Sequence, residues 1–236
     1  MGPQLVHYIP ILTTALTVPF ALEVFRRYRQ HPERLHLLWW AIGIVTYGVG
    51  TLTESLTTLI GWHEPLFRAW YISGALLGGA PLAQGTVYLL FSRRTAHRLT
   101  ALLLSFIAVA AVAVLLSPID YTLVESHRPT GRVLVWTWVR AFSPFINLYA
   151  VIFLIGGAIL SAIRYSRNPL TRHRVWANVL IAAGAILPGI GGAATRAGYT
   201  EVLYVTELAG LALMWAGYRM SVGPAPASQP SLTSPT

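Results

Sequence analysis

Seven apolar runs occupy most of this 236-residue chain. Each is close to the ~20 residues that a helix needs to cross a bilayer core of about 30 Å. They lie at Leu5–Phe25, Leu37–Trp62, Phe67–Phe91, Leu99–Ser117, Phe142–Ile163, Val175–Thr195 and Val202–Tyr218. In hydrocarbon a spanning backbone must satisfy its own hydrogen bonds, and alternation of the strand kind is absent, so helices are expected. The expected fold class is therefore all-α, a polytopic membrane protein of seven transmembrane helices. Residues 1–221 would form that domain. The Pro-, Ser-, Ala- and Thr-rich residues 222–236 read as a disordered tail. The balance agrees: 11% of residues are charged, against about 25% in soluble domains.

The charges that remain set an orientation. All 17 basic residues are arginine. Twelve fall on one side of the expected membrane, at the junctions of helices 1–2, 3–4 and 5–6 and after helix 7, and five on the other. The excess of cations on one side predicts that this side is cytoplasmic, with the N-terminus outside. No charged segment precedes the first run, so it reads as a span rather than a cleaved leader. The expected location is a bacterial cytoplasmic membrane, with the bilayer as the chief partner. The arginines are split among loops, which argues against a nucleic-acid surface.

Two absences narrow the chemistry. The chain has no cysteine, which excludes disulfides, thiolate metal sites and thiol nucleophiles. It has no lysine either, so retinal cannot attach by the usual Schiff base, the mechanism a seven-helix topology would otherwise invite. No histidine falls near mid-membrane, so paired axial ligands for an embedded haem are not expected. Only one aspartate, Asp120, is present and no G-x-S-x-G elbow occurs, so an enzyme is not expected, nor is a metal site.

Glu54 in helix 2 and Glu207 in helix 7 are placed inside spans, 3–4 residues to the outer side of the midpoints, or ~5–6 Å above the midplane. Ionisable groups at such depth are costly and normally face the bundle interior. Tyr47, Gly50, Thr51, Glu54 and Thr58 form one stripe of helix 2; Tyr204, Glu207 and Gly210 form another on helix 7. Asn147, Trp70, Tyr71 and Gln84 are the further candidates for ligand or proton binding, with Arg68, Arg140, Arg196, Glu201 and His63 as charges at an outer mouth. The expectation is an outward-opening, proton-responsive pocket with the two glutamates at its floor. The plainer alternative is that the glutamates are interhelical hydrogen-bond glue.

Small residues predict close packing on helices 2, 3 and 6, including Gly74-x-x-x-Gly78 and the row Gly184, Pro188 and Gly192, with Pro81 and Pro188 as kinks. The aliphatic helix 4 is expected to be peripheral. Within the outer loop, about residues 118–141, the apolar Val133 to Val139 stretch predicts an interfacial helix running into helix 5.

Tyr47-Gly48-Val49-Gly50-Thr51-Leu52-Thr53-Glu54, then Phe67-Arg68-Ala69-Trp70-Tyr71, Pro81 and Tyr88-Leu89-Leu90-Phe91, resemble the seven-helix membrane sensor module found N-terminal to some bacterial histidine kinases. The likeness covers residues 45–91, about a fifth of the chain. It implies a sensory or ligand-binding module that signals to a separate partner through the arginine-rich loops. The functional expectation is thus a receptor-like protein for a small or lipidic ligand. A proton- or cation-coupled transporter or channel using Glu54 and Glu207 is the alternative, and an accessory subunit of a larger membrane complex is a third.

Overall fold

A computed structural model describes residues 5–167 and 171–223, without the side chains of Arg196 and Thr200. The chain is all-helical, and the described residues contain no strand, only two isolated bridge pairs, Ile119–Leu134 and Glu125–Arg128. Five helical segments are long and apolar enough to cross a membrane: Leu5–Gln30, Leu35–Ile60, Arg93–Leu116, Thr137–Ser166 and Arg172–Thr195.

The helices are α1 (Ile9–Gln30), α2 (Leu35–Ile60), α3 (Glu64–Trp70), α4 (Ala80–Leu90), α5 (Arg93–Leu116), α6 (Phe142–Ala150), α7 (Gly156–Ser166), α8 (Arg172–Arg196) and α9 (Thr200–Val222). A π-helical segment, Val151–Ile155, joins α6 to α7 into one rod. A second, Tyr71–Leu77, extends α3, but this rod stops at Gly78 before α4 begins. Gly78 has φ +44° and ψ −122°, a conformation that costs any residue with a Cβ. Pro81 therefore sits in the first turn of α4, where its missing N–H costs nothing, instead of kinking a continuous helix. Pro188 does lie inside unbroken α8, as does Pro19 in α1.

Of the five long apolar segments α2 is the most enclosed, with Leu37, Ile44, Thr51, Glu54 and Thr57 all buried. It packs on α1, on α3 and on α4. α5 turns Leu102, Val109, Val112 and Leu116 outward, as a helix facing lipid should.

α8 corrects the expectation of a central helix 6. It packs on α7 and α9, while Trp176, Val179, Ile186 and Ile190 are exposed. Its contact with α9 is nevertheless very close. A methyl group added to Gly184 would stand 2.5 Å from the Gly210 carbonyl oxygen, and one on Gly217 2.6 Å from that of Ala177. Gly191 meets Leu203 and Thr206, whereas Gly189 and Gly192 face open space. The contact row is thus Gly184, Pro188 and Gly191, not Gly184, Pro188 and Gly192.

The segment from 118 to 141 also departs from expectation. In place of an interfacial helix it makes 3-10 turns at Gly131–Val133 and Thr137–Ala141. Val133, Leu134 and Val139 fold back onto Phe67, Tyr71 and Val114, which burial favours over the membrane surface. Trp136 and Trp138 stay exposed and stacked, with centroids 5.9 Å apart. Residues 224–236 of the expected tail lie outside the described part.

Candidate functional site

The site is built where α2 meets the segment after α3 on one flank and α9 on the other. Gly50 on α2 and Gly74 after α3 let the backbones nearly touch, since a methyl group on Gly50 would lie 3.2 Å from the Gly74 Cα. One turn along, the same register sets Trp70 beside Glu54, and Trp70 Nε1 donates to Glu54 Oε1 at 2.7 Å. On the other flank of α2, the Tyr47 hydroxyl donates to the backbone carbonyl of Glu207 at 3.0 Å. The Glu54 and Glu207 carboxyl groups then come within interacting range of each other. Each Oε2 atom is buried and has no hydrogen-bond partner among the described residues.

Two bare carboxylates offer acceptors only, so a hydrogen bond between them would require a proton on one. Glu54 is 3% exposed, and the setting is apolar and aromatic. Tyr204, one turn before Glu207, is buried, with its ring 5.9 Å from that of His7. Around these, the Thr58 hydroxyl donates to the His7 carbonyl at 3.2 Å, and the Thr14 and Thr51 hydroxyls bond at 2.9 Å. The structure thus brings Glu54, Glu207, Tyr47, Tyr204 and Trp70 together.

The remaining candidates go elsewhere. Tyr71 is buried against Gly131 and Phe67. Gln84 belongs to a second buried network: its Nε2 donates to Thr100 Oγ1 at 2.8 Å and to the Ala96 carbonyl at 3.2 Å, and its Oε1 accepts from the Tyr149 hydroxyl. Thr100 leads on to Tyr88, and Tyr88 to His97 at 2.8 Å. Asn147 stands at the helix break, its Oδ1 3.0 Å from where a Gly78 Cβ would be.

Of the mouth charges, Arg68 is committed to structure. It pairs with Glu64 at 2.7 Å, and its guanidinium donates to the carbonyls of Val114 and of Ser117, the latter at 3.0 Å, capping α5. His63 Nδ1 lies 3.1 Å from the Gly61 carbonyl. Arg140 and Glu201 are exposed. The side chain of Arg196 lies outside the described residues. Glu64 also accepts from the Tyr121 hydroxyl at 2.6 Å. Those two bonds, Tyr121 first and then Arg68, hold the Glu64 carboxyl below its ordinary range, and the same contact pushes the Tyr121 phenol up.

Sequence reasoning missed Glu23. It lies within α1, and Trp215 Nε1 donates to its Oε2 at 2.8 Å, while Arg219 stands 3.7 Å from Oε1. The signal was present: an acid four residues before Arg27 and well inside an apolar helix. α9 is therefore tied through Glu207 near its start and through Trp215 near its end.

Two cavities stand out, and neither is lined by Glu54 or Glu207. One is an apolar groove between α5 and α6, floored by Leu103, Phe106 and Phe142. The other, about 450 Å³, lies at the arginine-rich end. No group of three or more His, Asp or Glu among the described residues is disposed to hold a metal. No protein-family model, no curated protein and no solved structure matches the chain.

Proposed function

We propose that this chain is a seven-helix receptor-like module of the bacterial cytoplasmic membrane, with its N-terminus outside, in which the Glu54–Glu207 pair is the responsive element. The broken α3–α4 rod and α9 supply the two spans beyond the five that are long and apolar enough. The asymmetry of arginines supports the orientation, and the likeness of residues 45–91 to histidine-kinase sensor modules supports the role.

The observation that carries the reading is the pair of buried Oε2 atoms, one on Glu54 and one on Glu207, left without a hydrogen-bond partner among the described residues where the Tyr47 hydroxyl joins α2 to α9. A ligand that offers its own donor or cation to either carboxyl satisfies its unpartnered oxygen and separates the helices. α9 would transmit the movement, because Trp215 and Arg219 fasten its far end to Glu23 on α1. A bound ligand can shift such an equilibrium only by its differential affinity for the two arrangements. A separate protein partner at the arginine-rich end would then sense the shift.

The absence of native cysteine makes the test clean. Cysteines placed at Ile60 and Val202, both exposed near one end of α2 and α9, carry nitroxide labels. The distance between them is measured in nanodiscs for the wild type, at acid and alkaline pH, and for a Glu54→Ala/Glu207→Ala variant. The reading requires the distance to change when the pair is removed or deprotonated. An identical distribution in every sample would sink it.

One observation favours transport as the second reading. Discontinuous helices often line substrate and ion sites, and Asn147 stands against the Gly78 break. Flux of protons or cations into liposomes, lost in Glu54→Gln, would select that reading.

A further inference from the structure

The cavity at the arginine-rich end is distinct from the carboxyl pair. Its depth is apolar, lined by Ile44, Leu82, Leu154 and Met214. Its mouth lies where α1 and α9 end and α2 and α8 begin, and carries Arg27, Arg34 and Arg174. At about 450 Å³ it lies within the ~300–1,000 Å³ typical of small-molecule sites.

Two features point to what it takes. The first is uncompensated charge. Arg34 is paired to Glu33 at 3.4 Å, but neither Arg27 nor Arg174 has a carboxylate partner among the described residues. Glu23, one turn before Arg27 on α1, is half-buried and held by Trp215 and Arg219. The second is Tyr218, which lines the cavity, is 4% exposed, and has a buried hydroxyl with no hydrogen-bond partner. A buried phenol left unpaired is costly, and an acceptor entering the cavity would relieve it.

We propose that this cavity binds one acidic phospholipid, with an acyl chain in the apolar shaft and the phosphate held by Arg27, Arg174 and the Tyr218 hydroxyl. Arginine suits a phosphate because its planar fork gives paired charge-assisted hydrogen bonds. Basic pockets between membrane helices are a recurring way to hold such headgroups. A zwitterionic headgroup such as phosphatidylcholine offers a phosphate too, but its quaternary ammonium offsets that charge beside the two cations. The tail residues 224–236, which follow the cavity wall at Val222, contain no acidic side chain, so charge complementarity favours the lipid over the chain's own end.

The test uses the full chain in nanodiscs of phosphatidylcholine doped with phosphatidylglycerol, released gently into native mass spectrometry. The expected result is one retained phosphatidylglycerol per chain, with phosphatidylcholine lost. Each of Arg27→Gln and Arg174→Gln should weaken retention about fivefold, the equivalent of about 1 kcal/mol per cation. Tyr218→Phe removes a single oxygen and should weaken it without lowering thermal stability, which separates binding from misfolding. Equal retention of phosphatidylcholine, or undiminished retention in the double arginine variant, overturns the proposal. So does displacement by inorganic phosphate alone, which would mark a simple anion site. Phosphatidylglycerol selectivity that appears only after removal of residues 224–236 would make the tail the native occupant and overturn it equally.

Discussion

Trp70 Nε1 lies 2.7 Å from Glu54 Oε1, one turn along from the point where Gly50 and Gly74 bring their backbones into contact. The glycine pair and the indole–carboxyl bond are one device: without the close approach the indole could not reach. Trp70→Phe keeps most of the ring but deletes the donor. It is expected to cost about 1–3 kcal/mol, the penalty for a buried acceptor left unpaired. Thermal unfolding in detergent, run as a double-mutant cycle with Glu54→Gln, checks it; additive losses would show that the bond contributes nothing.

The α8–α9 pair tolerates no added volume at its contact row. Gly184→Ala places a methyl 2.5 Å from the Gly210 carbonyl and should destabilise by about 1–3 kcal/mol through overpacking. Gly192→Ala, on the open side of the same helix, should be neutral or slightly favourable, since alanine is the better helix former. The two variants compared by midpoint of thermal unfolding give the answer.

Gly78→Ala forces a side chain into φ +44°, ψ −122° and against Asn147 Oδ1. Backbone strain of this kind costs about 1–3 kcal/mol. The variant should unfold earlier, and a second substitution, Asn147→Ala, should recover only the steric part.

The Gln84 network offers a control remote from the carboxyl pair. Tyr149→Phe removes the donor to a fully buried Gln84 Oε1, for an expected loss of about 1–3 kcal/mol. Helix distances reported by labels at Ile60 and Val202 should stay as in the wild type.

Acid should loosen the 118–141 segment. Glu64 is held below its ordinary value by Tyr121 and Arg68. A depressed carboxyl adds stability that is present above its unfolded value of about 4.3 and is lost as pH falls through the lower folded value. Hydrogen exchange of residues 119–126, corrected for intrinsic rates, should therefore rise below that range in the wild type. In Tyr121→Phe it should already be faster at neutral pH.

Much of the architecture was legible because apolar run length alone dictates helices in a membrane. Glu54 and Glu207 were legible for the same reason, as charges with no loop to occupy. Their mutual approach was not, since depth along a helix says nothing about rotation around it. Tyr71 and Gln84 show this: each lies in the same apolar run as Trp70 yet points to a different neighbour. Arg68 looked like a mouth charge because its partners, the carbonyls of Val114 and Ser117, lie over forty residues away in sequence. The turn structure of 118–141 was hidden because a short apolar stretch reads the same whether it covers a bilayer surface or a protein core.

The glycine seam between α8 and α9 also bears on how the chain enters a bilayer. α9 carries Glu201, Glu207 and Arg219, and each charge makes solitary partitioning costly. α8 is among the five segments long and apolar enough to cross, and only the three residues 197–199 separate it from α9. Joined by so short a turn and zipped along glycines, the two are suited to insertion as one hairpin. α8 then supplies the hydrophobic drive and the seam shields the backbone of the helix that bears the acids. A substitution at Gly184 or Gly210 would then act during biogenesis as well, lowering the yield of inserted chain before any folded protein exists to be measured.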